Sequence, residues 1–299
     1  MFDSIRETID YAVEKDMAFA DIMIQEEMEL KGLTRDEVRA NMKQNLDVMR
    51  DAVVKGTTGE GVESVTGYTG HDAAKLRDYN ENNHALSGHE MIEAVKGAVA
   101  TNEVNAAMGI ICATPTAGSS GTIPGVLFKL EKTHDITEDQ MIDFLFTAAL
   151  FGRVVANNAS VAGATGGCQA EVGSASAMAA AAAVSIFGGS PKASGHAMAL
   201  AISNLLGLVC DPVAGLVEIP CVMRNAIGSG NALISADLAL AGVESRIPVD
   251  EVISAMDKIG RNLPASLRET GLGGLADTPT GEEIKRKIFG EAEDMVKNK

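Results

Sequence analysis

The segment GGCQAEVGSASAMAAAAAV, which begins at Gly166, most constrains how this chain can fold. Residues 172–187 form the most apolar window of the sequence, and they are mainly alanine and serine. The window is shorter than the roughly 20 residues that a membrane-spanning helix needs. Alanine is the strongest helix former, and small side chains let neighbouring helices approach closely. The segment therefore predicts a helix that is buried inside the protein.

The remaining composition also favours helices over strands. The chain has no tryptophan, aromatic residues make up 4% of it, and it contains 14 methionines. β-Branched and aromatic residues are the types that favour strands, and we find no convincing strand-like alternation of any length in the sequence. We predict an all-α protein, a compact multi-helix domain with Gly/Pro-rich loops at its site.

The distribution of glycines suggests how this domain is organised. We expect one domain over residues 1–299, in which Thr34 and Thr137 each start a helix, because Glu or Gln follows three residues later as in a capping box. Its predicted parts are N-terminal helices over residues 1–55, a glycine-rich loop over residues 56–83 and a catalytic helical core over residues 84–281.

The charge of the chain excludes several classes of partner. The formal net charge is −16, from 25 Lys and Arg against 41 Asp and Glu. Phosphate contact needs clustered cations, and no basic run is present, so we expect neither nucleic-acid nor membrane binding. The N-terminal sequence MFDSIRETIDYAVEKD is acidic and amphipathic, unlike a signal peptide, and we expect a cytoplasmic protein.

Three of the four cysteines lie where the chain changes direction. Cys168, Cys210 and Cys221 each stand near Gly or Pro, and no CxxC pair is present, which disfavours a zinc knuckle. Three thiolates from separate loops suit a [4Fe–4S] cluster with one iron left free to act as a Lewis acid. The alternative is that they are small buried residues, and the spacing alone favours that alternative.

A second candidate element is the TPTAGSSG loop, residues 114–121. Backbone N–H groups of such a loop, placed before a helix N-terminus, form a nest that could bind the carboxylate of a substrate. The loop lacks the lysine of a phosphate-binding P-loop. Cys112, just before it, ends a short apolar run and is better explained as a core residue than as a fourth ligand.

Four motifs together carry a resemblance to a known family. GGCQAEVGSASAMAAA, ATPTAGSSGTIPGVL, LVCDPVAGLVEIPCVMRNA and GLGGLADTPTG resemble the alpha chain of the iron–sulfur-dependent L-serine dehydratases, in the same order. The resemblance implies an all-helical alpha domain, a [4Fe–4S] cluster held by Cys168, Cys210 and Cys221, and conversion of L-serine to pyruvate and ammonia. It implies a role in amino-acid catabolism and gluconeogenesis, and no pyridoxal phosphate.

The resemblance also suggests roles for residues around the cysteines. Thr116, Ser119, Ser120 and Gly121 are expected to contact the substrate. Glu171 and Asp211 could orient ligand loops or cap helices, and Arg224 and Asn225 could hydrogen-bond to cluster sulfides or to a carboxylate. The five histidines, His71, His84, His89, His134 and His196, are better explained as surface, capping or packed residues.

The resemblance implies a separate beta subunit as well. The resemblance implies that this partner contributes residues around the site, and we name no general base on this chain. Some members of the family carry an additional cysteine at the extreme C-terminus, whereas this chain ends in DMVKNK. What occupies the fourth iron without substrate is therefore open.

Three rival functions remain open at this point. The same machinery could act on another β-substituted amino acid such as L-cysteine. A non-catalytic iron–sulfur protein is a rival of another class, and it would require all four cysteines to be ligands. A zinc-binding interaction module is the weakest rival, and it would contain zinc without acid-labile sulfide.

Overall fold

The computed structural model describes residues 2–290, so the DMVKNK terminus lies outside the described residues. Residues 2–290 form thirteen α-helices and no strand, which confirms the all-α prediction. The helices are α1 Ile5–Lys15, α2 Phe19–Lys31, α3 Arg35–Thr58, α4 Asp72–Asn82, α5 His89–Ala106, α6 Thr122–His134, α7 Glu138–Asn158, α8 Gly163–Gly166, α9 Ser174–Ile186, α10 Pro191–Asn204, α11 Cys221–Leu240, α12 Val249–Asn262 and α13 Pro279–Phe289. A π-helical turn, Gln169–Gly173, precedes α9 directly.

The two helix starts that the sequence predicted are present. Thr34 accepts a hydrogen bond from the backbone of Glu37, whose side chain bonds back to the backbone of Thr34. Thr137 and Gln140 form the same reciprocal pair at the start of α7. Each pair satisfies two backbone N–H groups that the first turn of a helix leaves without a partner.

The glycine-rich loop is shorter than residues 56–83. Helix α3 continues to Thr58, and the second half of the segment forms α4. Helix α4 lacks the apolar periodicity of a packed helix, and Ala73 is its only buried residue. Helix α4 is held instead by Glu103 of α5, whose carboxylate accepts the backbone N–H groups of Asp72 at 2.6 Å and Ala73 at 3.2 Å.

Helix α9 lies at the centre of the helical core. Its first eleven residues, from Ser174 to Val184, are all buried. It packs against α6, α7, α10 and α11. Small side chains make this close packing possible. At Gly152 of α7, for example, an added β-carbon would lie 2.5 Å from Met178 of α9, which is too close for a normal contact. The buried helix that the alanine-rich segment predicted is therefore confirmed.

Helices α5 and α6 approach each other through two glycines. A β-carbon on Gly97 would stand 3.2 Å from the Cα atom of Gly125. A β-carbon on Gly125 would stand 2.6 Å from the backbone oxygen of Ala94 and 2.8 Å from the β-carbon of Ala98. This contact holds the first turn of α6 against α5. The 114–121 loop ends where α6 begins, so the contact also positions the end of the loop.

Within the part of the chain that the structure describes, no helix combines the length and the apolar character that crossing a membrane requires.

We expect Gly125→Ala to destabilise the protein by about 1–3 kcal/mol, because the added methyl group meets backbone atoms of α5 that cannot move independently. Gly230→Ala in α11 is the matched control, since the nearest atom to its β-carbon is the flexible Met91 sulfur at 3.4 Å. Alanine there should be neutral or stabilising by up to about 1 kcal/mol. Urea unfolding at constant m-value measures both changes, and equal midpoints for the two variants would contradict the close α5–α6 packing.

Candidate active site

Three of the four cysteines meet in the interior of the protein. Cys168, Cys210 and Cys221 are 3%, 3% and 8% exposed. Burial raises the pKa of all three thiols, to about 12 for Cys168. The charge of Glu171 raises the pKa of Cys210 further, followed by Cys168 and Cys221. Cys168 and Cys210 also pack in one buried cluster with Val172. The structure thus brings the three predicted ligands together.

Gln169 joins the segment of Cys168 to the segment before Cys210. The backbone N–H of Gln169 donates to the carbonyl oxygen of Leu208 at 2.9 Å. Its side-chain oxygen accepts the backbone N–H of Gly207 at 2.9 Å. These two bonds keep the π-helical turn beside the loop that follows α10, and the two cysteines stay adjacent as a result.

Arg224 is the positive charge beside the thiols. Its guanidinium group donates to the carbonyl oxygen of Val209 at 2.8 Å and to the carboxylate of Asp211 at 2.7 Å. The side chains of Arg224 and Asp211 are 14% and 4% exposed, so this ion pair is largely buried. Burial dominates the pKa values of Cys168 and Cys221, but the charge of Arg224 lowers both and therefore favours the thiolate form.

The segment from residue 267 to residue 275 wraps around the loop that carries Cys210. The backbone N–H of Cys210 donates to Leu267 at 2.9 Å, and the backbone N–H of Glu269 donates back to Cys210 at 2.7 Å. The backbone N–H of Leu275 donates to the second carboxylate oxygen of Asp211 at 2.8 Å. The GLGGLAD motif therefore supports the position of Cys210 through its neighbour Asp211.

Glu171 connects the cysteines to the 114–121 loop. Thr116 Oγ1 donates to Glu171 Oε1 at 2.7 Å, and Cys210 Sγ lies 3.9 Å from Glu171 Oε2. A β-carbon on Gly163 would stand 2.7 Å from the same carboxylate and 2.8 Å from the Cys210 sulfur, so α8 closes one side without a side chain. Burial raises the pKa of Glu171, and the bond from Thr116 opposes that change.

Ser119 and Ser120 use their hydroxyl groups inside the loop. Ser119 donates to the carbonyl oxygen of Thr114 at 3.0 Å. Ser120 donates to the side-chain oxygen of Asn102 at 2.9 Å. Both serines are fully buried. They hold the shape of the loop, and contact with a substrate would require them to exchange these bonds.

Asn225 fills the anion nest that the sequence suggested at the end of the loop. Its side-chain oxygen accepts the backbone N–H groups of Gly121 and Thr122, each at 3.0 Å. Its amide nitrogen donates to the carbonyl oxygen of Gly118 at 2.8 Å. The side chain is fully buried, so the first N–H groups of α6 are already satisfied by the protein.

Cys112 has different surroundings from the other three cysteines. It is partly buried, it packs against the main core, and its thiol donates to the carbonyl oxygen of Asn45 in α3 at 3.5 Å. Two of the histidines also make contacts elsewhere. His89 bonds to Asn80, and His134 bonds to Thr133.

Glu269 is a residue of the site that the sequence reasoning missed. Its backbone N–H donates to the carbonyl oxygen of Cys210 at 2.7 Å, and its carboxylate raises the pKa values of Glu171, Cys210 and Cys221. No spacing or periodicity marks it. The one feature that could have indicated it is its position directly before the TGLGG sequence. The motif that carries the resemblance begins only at Gly271.

The fold and the site define an all-helical protein with three buried cysteines between a Gly/Ser loop and a buried carboxylate. The profile of the serine dehydratase alpha chain family matches residues 14–276, and the chain belongs to this family.

Curated relatives extend this similarity. The chain is 59% identical over 292 residues to "Probable L-serine dehydratase, alpha chain" of Bacillus subtilis (strain 168), which covers 98% of this chain and 97% of that protein. It is 43% identical over 293 residues to "L-serine dehydratase, alpha chain" of Peptoniphilus asaccharolyticus, covering 98% and 100%. It is 34% identical over 268 residues to "L-serine dehydratase 2" of Escherichia coli (strain K12), covering 88% of this chain but 58% of that longer protein.

We expect Asp211→Ala to destabilise the protein by about 3–5 kcal/mol, because it leaves the largely buried Arg224 unpaired and Leu275 without its acceptor. Asp47→Ala is the matched control, since it removes an exposed ion pair to Lys43 and should change the urea midpoint little. Urea unfolding of the cluster-free chain measures both. A small effect of Asp211→Ala would mean that Arg224 finds solvent or another partner.

Proposed function

We propose that this chain is the alpha subunit of an L-serine dehydratase, a lyase that converts L-serine to pyruvate and ammonia. Its family membership supports the activity, and the names of its relatives support the substrate. The observation that carries the proposal is the convergence of three buried thiols beside Glu171 and the 114–121 loop. We propose the cytoplasm as its compartment, where reducing conditions keep thiols unpaired.

We propose a separate beta subunit as the partner. The longer Escherichia coli relative contains sequence beyond the part that this chain matches, which supports a second component of the enzyme. We propose that the general base comes from the beta subunit rather than from this chain.

The chemistry of the donor set fits a [4Fe–4S] cluster in which one iron lacks a cysteine ligand. Such clusters are held by cysteine thiolates. Three buried cysteines from separate segments are available here, whereas the fourth, Cys112, bonds to Asn45. Cys168, Cys210 and Cys221 would hold the cluster, with Arg224 as a counter-charge.

When bound, such a cluster supplies a Lewis acid for the hydroxyl and carboxylate of serine at the iron that has no cysteine ligand. The residues of the chain would then orient the substrate and exclude water. Thr116 is the loop residue whose hydroxyl faces the site, and Ser119, Ser120 and Gly121 hold its position. Glu171, whose pKa burial raises, can hold a proton at Oε2 beside the cysteines.

The position of Cys112 favours a lyase over a non-catalytic iron–sulfur protein. A cluster ligated by all four cysteines would require Cys112 beside the other three, but its thiol bonds to Asn45. L-Cysteine stays a second candidate substrate, and turnover of L-serine and L-cysteine by the assembled enzyme separates the two. Faster sulfide release from cysteine would overturn the assignment to serine.

The proposed function is tested by anaerobic purification with the beta subunit, followed by iron and sulfide analysis and pyruvate measurement. We expect about four iron and four sulfide per alpha chain and serine-dependent pyruvate release. Cys168→Ala should lose the iron, whereas Cys112→Ala, the matched control, should keep it. An iron-free protein after anaerobic reconstitution would overturn the proposal, as would zinc without sulfide.

We expect Thr116→Val to lower kcat/KM for serine by about 10- to 100-fold, because the loop loses its bond to Glu171 and the substrate is misplaced. Thr116→Ser keeps the hydroxyl and should keep most of the activity. Iron content and urea midpoint are measured alongside. Equal activity of the two variants would remove the Thr116 hydroxyl from the proposed mechanism.

A further inference from the structure

Glu269 has a backbone conformation that its residue type disfavours. Its φ angle is 63°, in the left-handed region, although it is neither Gly nor Asn. For most L-residues this region costs about 1–2 kcal/mol. The residue lies in the bridge to the cysteine loop, in which the backbone of Cys210 bonds to Leu267 on one side and to Glu269 on the other. Such strain concentrates at functional sites, where a side chain must be aimed in a fixed direction.

The carboxylate of Glu269 lacks a partner of its own. Within residues 2–290 it takes part in no hydrogen bond or ion pair, although the residue is partly buried. The backbone N–H of Glu269 donates to the carbonyl oxygen of Cys210 at 2.7 Å, and the carboxylate lies within electrostatic reach of Glu171, Cys210 and Cys221. A partly buried carboxylate among other acidic groups is unfavourable unless a cation joins it.

Arg224, the cation beside the thiols, is already engaged. Arg224 donates to Asp211 and to the carbonyl oxygen of Val209, so its guanidinium is committed to the loop that it supports. Arg224 is therefore not free to pair with Glu269, and a ligand that brings a positive charge would supply that partner.

Glu171 is less suited than Glu269 to receive that charge. Its Oε1 atom accepts the hydroxyl of Thr116, and its Oε2 atom lies against Gly163 and the Cys210 sulfur. The side chain is 8% exposed and surrounded by protein. Glu269 is more accessible, and its oxygens are uncommitted.

We propose that Glu269 binds the α-ammonium group of the amino-acid substrate. This inference rests on the proposed function. The Lewis acid is proposed to bind the hydroxyl and the carboxylate of serine, so the α-ammonium is the charged group that still needs a partner. It predicts that the site selects amino acids over hydroxy acids of the same shape, since these lack the ammonium group. A carboxylate that pairs with a cationic ligand in a partly buried site forms a strong, charge-assisted hydrogen bond.

The test compares two ligands that differ by this group, L-serine and 3-hydroxypropanoate, on the anaerobically assembled enzyme. Calorimetry gives the Kd of each for the wild type and for Glu269→Gln. We expect the substitution to weaken serine binding by about 10- to 100-fold and to leave 3-hydroxypropanoate binding unchanged. The KM for serine should rise by a similar factor, with a smaller change in kcat.

Two further variants separate recognition from folding. Glu269→Gly removes the carboxylate and relieves the left-handed strain, so it should raise the Tm while losing the preference for serine. Asp135→Asn is the matched control, because Asp135 also has a positive φ angle, 50°, but is exposed at the end of α6. It should leave both ligand affinities unchanged.

Other outcomes would overturn the inference. Equal weakening of both ligands would mean that Glu269 only shapes the site. A lower kcat with an unchanged serine Kd would mean that it transfers a proton instead. A wild type that binds serine no better than 3-hydroxypropanoate would exclude the ammonium site. If the wild type prefers serine but forms no pyruvate, the proposed function fails, and the two-ligand comparison still decides the role of Glu269.

Discussion

The small side chains of α9 are the constraint on which the rest of the structure depends. Four helices pack against α9, and they can do so because almost every residue facing them is alanine or serine. The π-helical turn is continuous with the start of α9, so the position of this helix fixes the position of Cys168 and Glu171. Larger side chains in α9 would separate its neighbours and displace the ligand segment with them.

Features with a local cause were predictable from the sequence. The helical content, the buried alanine-rich helix and the capping boxes at Thr34 and Thr137 depend on residues a few positions apart. Each depends on a local preference that a single sequence already expresses. The three cysteines beside Gly and Pro are different, because their spacing alone favoured ordinary buried residues and only the resemblance of the surrounding motifs implied a site.

Features that depend on distant partners were not predictable. Helix α4 has one buried residue and is held by Glu103, which comes much later in the chain. The nest at Gly121 looks open in the sequence, yet Asn225 of α11 fills it. Glu269 reaches the site only because its backbone pairs with Cys210. No local pattern records such pairings, since tertiary packing creates them.

The pairing of Cys210 with residues 267–269 has a consequence for the order of events during synthesis. The chain is made from its N-terminus, and residues 267–269, which complete the surroundings of Cys210, are synthesised after α9 and Cys168. Helix α9 and Cys168 can fold well before that segment is available. The surroundings of Cys210 are therefore completed later in synthesis than those of Cys168, so an inorganic group that needs both thiols would be inserted after α9 has been made.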